Sequence, residues 1–205
     1  MATPVAQMRL TPEEYIAFER EALPDGEIIR YEYINGELIA MSGASRAHNL
    51  ITVNISTALH SRLSGSRCET YANEMRVSTP TTTSYFYPDV VVVCEKPRFE
   101  DNIFDTLLNP IILVEVLSPS TKVYDRREKF AHYRQLPSLR EYVRVAQDKV
   151  LIEHYRRQEK QKSAAIGHQD WIFTDCQELE ESLPLTSIQC ELSLQETYER
   201  VVFPD

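Results

Sequence analysis

Tyr85-Phe86-Tyr87-Pro88-Asp89-Val90-Val91-Val92-Val93-Cys94 and Ile111-Ile112-Leu113-Val114-Glu115-Val116-Leu117 are the two stretches on which the reading of this chain turns. Each is apolar at consecutive rather than alternate positions, the pattern of a strand covered on both faces. Each also carries one carboxylate: Asp89, just after the Pro88 that marks a strand's beginning, and Glu115, with apolar neighbours on both sides. An ionised carboxylate in such a strand costs on the order of several kcal/mol unless it is paired, metal-bound or protonated. Two of them on consecutive core strands can converge on one divalent cation, and hard oxygen ligands suit Mg²⁺ or Mn²⁺. The plainer reading is an Asp at a strand end facing water and a Glu paired with a basic side chain.

Downstream, Ser118-Pro119-Ser120-Thr121 turns the chain at the C-terminal end of the second strand. That is where open α/β sheets place ligands. A helix follows to about Leu136, stopped by Pro137, with Phe130, Tyr133 and Leu136 as its buried stripe. Lys129 borders that stripe and can lean back towards the strand ends. A lysine beside a nucleophilic water can orient it and offset charge on a phosphate. Taken alone, Lys129 is one more solvated base on a helix that also holds Asp125, Arg126 and Arg127. Asp125 reads as a capping or pairing group.

Working outward, Thr11-Pro12-Glu13-Glu14 is a capping box that starts a helix over Pro12–Ala22, halted by Pro24-Asp25-Gly26. Ile29–Ile34 and Glu37–Met41 flank Asn35-Gly36, a strong hairpin signal. Ala47, Leu50, Ile51, Ile55, Ala58, Leu59 and Leu63 recur at helical spacing over 46–63. A strand is expected over Glu69–Val77, a loop over Ser78–Ser84, and one buried strand over Tyr85–Cys94. Tyr142–Ala146 and Val150–Tyr155 form a second hairpin, followed by a strand near Trp171–Thr174 and a helix near Leu194–Val202. The order predicts a mixed α/β (α+β) fold, a central mixed sheet flanked by helices with hairpins at both ends. It divides into an N-terminal helix and hairpin (1–45), a core (46–158) and an acidic C-terminal extension (159–205), all one domain.

The chain has 205 residues, 42% hydrophobic and 26% charged, which suits one globular domain. Its longest apolar run, Val90–Cys94, is far short of a membrane span. The N-terminus shows no signal-peptide pattern, so a cytoplasmic location is expected. The cysteines at 68, 94, 176 and 190 include no Cys-x-x-Cys pair, so reduced, mostly buried thiols are the expectation. The net charge of −9 is uneven. Residues 1–117 carry 9 basic and 16 acidic side chains, 118–168 carry 12 and 6, and 169–205 carry 1 and 9. Fields beyond about 8–10 Å are screened at physiological salt, so the total argues only against non-specific coating of nucleic acid. The basic segment is either a solvated helix and hairpin or a strip facing phosphate.

Pro88-Asp89, the 25-residue spacer to Glu115 and the basic helix with Lys129 resemble the PD-(D/E)XK nuclease superfamily. More closely, Glu115-Val116-Leu117-Ser118-Pro119-Ser120-Thr121, then Asp125-Arg126, Lys129 and Tyr133, is similar to a bacterial family of restriction-endonuclease-like proteins. Tyr33-Ile34-Asn35-Gly36-Glu37-Leu38 and His48 fit the same family, and the likeness runs from about 10 to 200. In the standard superfamily motif the lysine lies two residues after the Glu; here that position is Leu117. The resemblance therefore implies a lysine migrated to the next helix, Lys129. It implies a restriction-endonuclease-like core in which Asp89, Glu115 and the Val116 backbone carbonyl hold Mg²⁺ while Lys129 activates water. Glu37 and His48 are accessory candidates at the mouth of the same cleft, although a structural role suits both better.

The function expected is metal-dependent hydrolysis of DNA phosphodiester bonds, with water as nucleophile. Cutting both strands of a duplex is simplest for a two-fold homodimer. The alternative is a nuclease fold without turnover, serving as a binding or assembly module for a second copy or a protein partner. Glycoside hydrolysis by paired carboxylates ranks last, because it leaves the basic helix unexplained.

Overall fold

The computed structural model describes residues 9–21, 30–41, 43–79, 83–117, 129–158 and 171–204. Helix α1 (Pro12–Arg20) begins at the expected capping box, with the Thr11 hydroxyl accepting from the Glu14 amide and the Glu14 carboxylate from the Thr11 amide. Strands β1 (Tyr31–Ile34) and β2 (Glu37–Ala40) form the Asn-Gly hairpin. Asn35 at φ 50° and Gly36 at φ 99° both take the left-handed conformation that a two-residue turn of this twist requires. Helix α2 (Arg46–Leu63) follows, its N-cap Ser45 accepting from the His48 amide.

The stretches expected as single long strands are each broken in two. Glu69–Val77 becomes β3 (Glu69–Ala72) and β4 (Arg76–Thr79), separated by Asn73 at φ 60°. Tyr85–Cys94 becomes β5 (Ser84–Phe86) and β6 (Val90–Val93), separated at Tyr87-Pro88, where proline cannot donate to a ladder. These breaks let the chain pass between two sheets. One holds β2-β1-β5-β4-β7 in that order, with β7 at Thr106–Leu107. The other holds β11-β10-β9-β8-β6-β3, with β8 at Ile112–Leu117, β9 at Glu141–Ala146, β10 at Ile152–Arg157 and β11 at Trp171–Cys176. The pairs β8/β9 and β4/β7 are parallel and the rest antiparallel, so the sheets are mixed.

The six-stranded sheet is covered on both faces, which is why β6 is apolar throughout and β8 is apolar at every position but Glu115. Val90, Val92, Val114, Val116, Val143 and Val145 pack on Ile51, Ile55 and Leu59 of α2 and on Leu183, Leu192 and Leu194 near the C-terminus. The latter belong to a small hairpin, β12 (Ser182–Leu185) and β13 (Cys190–Ser193), and to the short helix α4 (Leu194–Thr197). Val91, Val93, Leu113 and Tyr142 pack on Val77, Phe86 and Leu107 of the smaller sheet. Tyr133 of the short helix α3 (Phe130–Tyr133) joins them. The turn and helix start expected over 118–128 lie outside the described residues.

The thiol expectation is corrected. Cys68 and Cys94 form a disulfide, while Cys176 and Cys190 are free thiols. The antiparallel register Glu69↔Val93 sets residue 68 opposite residue 94, a proximity that 26 positions of chain conceal. Among the described residues no helix is long and apolar enough to cross a membrane.

Candidate active site

The C-terminal end of β8 is where chain order brings distant polar side chains together. Strand β6 pairs with β8 only as far as Val90↔Val114, so beyond that point the edge of β8 is open to other partners. Asp89, immediately before β6, takes it. Its Oδ2 accepts from the Val116 amide at 2.7 Å, and its Oδ1 lies 3.1 Å from His48 Nε2 on the first turn of α2. A residue in an extended strand points its N–H and C=O to the same edge, so the Val116 carbonyl shares the edge that Asp89 occupies.

Glu115 is 4% exposed and alternates with Val114 and Val116, which puts its side chain on the opposite face of the sheet from α2. There the Tyr133 hydroxyl donates to its Oε1 at 2.7 Å, and Lys129 Nζ lies 3.2 and 3.3 Å from its two oxygens. Burial first, then the charges of Glu115 and Glu32, hold the Tyr133 phenol well above its ordinary value, so it stays a donor. Lys129, expected at the border of a helix, is itself buried.

Glu32, not singled out by sequence reasoning, is the other acid here: its Oε1 is 2.7 Å from Lys129 Nζ. In the sequence it is merely the polar member of an alternating strand. Tyr33 on one face of β1 packs with Tyr15 and Tyr85, and Ile34 on the other packs into the core between the two sheets. Glu32 shares the Ile34 face and is 4% exposed. A carboxylate beside an inward-facing aliphatic residue is the signal that could have found it, but only once both faces of the hairpin are known to be covered.

Of the accessory candidates, His48 meets Asp89, whereas Glu37 stands exposed on β2 with Arg9 3.9 Å away. The helix that delivers His48 is tied to the same strand ends: the Ser45 hydroxyl donates to Gln147 Oε1, and Gln147 Nε2 donates to the Leu117 carbonyl at 3.0 Å. Only part of the basic segment lies among the described residues, and there its charges are divided. Lys129, Arg144 and Arg157 are buried, while Arg134, Arg140 and Lys149 are exposed. Arg144, opposite Glu115 in the β8/β9 register, lies 4.8 Å over the Tyr155 ring and 3.3 Å from Glu153. Arg157 donates to the carbonyls of Arg134, Leu136 and Pro137, and burial pushes its guanidinium down to about 10, helped by Arg140. Those two arginines brace the fold.

Two carboxylates flanking one peptide bond, a lysine against one of them and a covered mixed sheet beneath are the geometry on which family membership can be judged. A family model named Uma2, "Putative restriction endonuclease", matches residues 12–194. This chain belongs to the Uma2 family. Two Synechocystis proteins are similar along most of their length to this Uma2 chain. Uncharacterized protein sll1609 is 36% identical over 166 residues, 81% of this chain and 86% of its own. Uncharacterized protein slr1290 is 32% identical over 195 residues, 95% and 94% of the two chains. In fold, the Uma2 chain is similar to the crystal structure of "a putative nuclease belonging to DUF820" from Anabaena variabilis. The TM-score is 0.71 at 17% identity, covering 94% of this chain and 99% of that one. The architecture is that of a restriction-endonuclease-like α+β fold.

Among the described residues no three His, Cys, Asp or Glu side chains form a ready-made metal cage. Asp89 is bonded to the amide that follows Glu115, and carboxylate oxygens are the donor type that a hard cation takes.

Proposed function

We propose that this Uma2 protein is a metal-dependent endonuclease that hydrolyses DNA phosphodiester bonds. The observation that carries the reading is the hydrogen bond from the Val116 amide to Asp89, which holds the second acid against the peptide bond that follows Glu115, the residue that contacts Lys129. Asp89, Glu115 and the Val116 carbonyl would hold Mg²⁺ or Mn²⁺. A divalent cation there supplies electrophilic stabilisation of the charge that grows on the phosphate oxygens. Lys129 orients the attacking water and offsets negative charge at the phosphate. The Tyr133 hydroxyl holds the Glu115 carboxylate, and His48 holds that of Asp89. Water oxygen bonds to phosphorus, one P–O ester bond breaks, and the departing oxygen takes a proton.

A second reading is favoured by one feature. Both Asp89 oxygens and both Glu115 oxygens already lie against protein groups, Lys129 among them, so the acids are paired within the protein itself. That suits a nuclease fold retained as a binding or assembly module, for a second copy of the chain or another protein. Supercoiled plasmid and single-stranded circular DNA, each incubated with Mg²⁺, Mn²⁺ or EDTA, separate the two. The endonuclease reading expects metal-dependent nicking or cutting that Asp89→Ala and Lys129→Ala abolish. Equal conversion by wild type and both variants would sink it. Metal binding lost in Glu115→Ala, with no cleavage by wild type, would favour the module.

A further inference from the structure

Lys129 reaches the site from a helix, on a flexible four-carbon stem, and not from the rigid strand that carries Glu115. Something must hold its ammonium beside that carboxylate. The nearer acid is Glu32, at 2.7 Å, against 3.2 and 3.3 Å for the Glu115 oxygens. The three side chains are each at most 8% exposed and come from three places: the smaller sheet, the larger sheet and the N-cap of α3. Glu32 is also held from behind. Its neighbour Tyr31 accepts at its carbonyl from the Tyr15 hydroxyl at 2.7 Å, and Tyr33 stacks on Tyr15 with ring centres 5.0 Å apart. The hairpin backbone is thereby pinned to α1. An inward carboxylate would serve a purely packing face worse than an apolar residue of similar volume.

We infer that Glu32 is a positioning residue for Lys129. Its carboxylate takes one side of the ammonium and fixes Nζ against Glu115, supplying the rigidity that a lysine on the Glu115 strand would have had from the backbone. Competence of the site then depends on the docking of the N-terminal hairpin against the larger sheet. The inference rests on the endonuclease reading for its catalytic consequence and on the geometry alone for its structural one.

Two measurements on the full chain keep these separate. The first is acetylation of the folded, metal-free protein by an amine-reactive ester, followed residue by residue by mass spectrometry. Lys129 should react slowly in wild type and about tenfold or more faster in Glu32→Gln, with Lys96 and Lys149 as internal references that do not change. Unchanged Lys129 reactivity overturns the inference whether or not the protein cuts DNA. The second is steady-state cleavage of plasmid. Glu32→Gln should lower kcat by about tenfold or more with KM within about twofold, and Glu32→Asp should recover part of the loss. A merely structural Glu32 would lower the folded fraction and leave kcat per folded molecule at the wild-type value. Absence of cleavage by wild type would count against the endonuclease reading while the acetylation result still decides the role of Glu32.

Discussion

The Asp89 carboxylate accepts the Val116 amide at 2.7 Å across 27 positions of chain, so the acid that precedes β6 sits against the peptide bond that follows Glu115. The opportunity comes from the register. Pairing of β6 with β8 stops at Val90↔Val114, leaving the next amide along that edge of β8 to a side chain. The bond holds an acidic side chain at the sheet's end in one orientation, with His48 on its other oxygen.

Removing either member of that arrangement should show in cleavage before it shows in folding. Asp89→Asn should lower metal-dependent DNA cleavage by about 100-fold or more, and His48→Ala, which loses one of the two groups that hold Asp89, by about 10- to 100-fold. Initial rates at saturating Mg²⁺, with circular dichroism to verify folding, provide the check. A wild-type rate in His48→Ala would remove it from the site.

Tyr133→Phe keeps a ring against Phe86 and Tyr142 but deletes the hydroxyl that donates to buried Glu115. The acceptor is left short of a partner, at a cost of about 1–3 kcal/mol. Urea unfolding should show a lower midpoint at unchanged slope. A midpoint matching wild type would mean that the remaining Glu115 partners compensate for the lost bond.

A second buried pair contributes to the acid limb of stability. Glu141 Oε2 lies 2.7 Å from His154 Nε2, and its Oε1 accepts from the Ser187 amide at 2.6 Å. Burial pushes the Glu141 carboxyl up, but His154 and Ser187 outweigh it, and the net shift is downward. A depressed carboxyl contributes stability that is present above the unfolded value of about 4.3 and is lost as pH falls through the folded value. Stability should therefore fall with pH below about 4.3, and Glu141→Gln should flatten that limb while lowering stability at pH 7. Parallel urea titrations from pH 3 to 7 measure both. An identical acid limb in the variant would assign the pH dependence to other carboxylates.

The Cys68–Cys94 bond closes a loop across the edge of the larger sheet. Thiol titration in denaturant should count two thiols before reduction and four after it, since Cys176 and Cys190 are free. Reduction, or the double change Cys68→Ser with Cys94→Ser, should cost about 2–4 kcal/mol of unfolding free energy. Four titratable thiols in the untreated protein would show that the bond is not formed in solution.

Local pattern in the sequence determined the capped first helix, the Asn-Gly hairpin, the 46–63 helix and the two central strands. Each of those is written in short-range spacing: a cap three residues from its partner, a turn dipeptide, or an unbroken apolar run. The same runs made Asp89 and Glu115 conspicuous, because a carboxylate among consecutive valines and leucines is costly wherever the strand lies. Tertiary structure alone decided what those residues meet. Strand breaks at Asn73 and at Tyr87-Pro88 depend on which sheet each half joins, and Cys68 meets Cys94 only through the β3/β6 register. The bond between Asp89 and Val116 likewise needs the point at which β6 stops pairing with β8. Glu32 was illegible for the same reason. Alternation along a strand tells the two faces apart but not which face the rest of the chain will cover, and here both are covered.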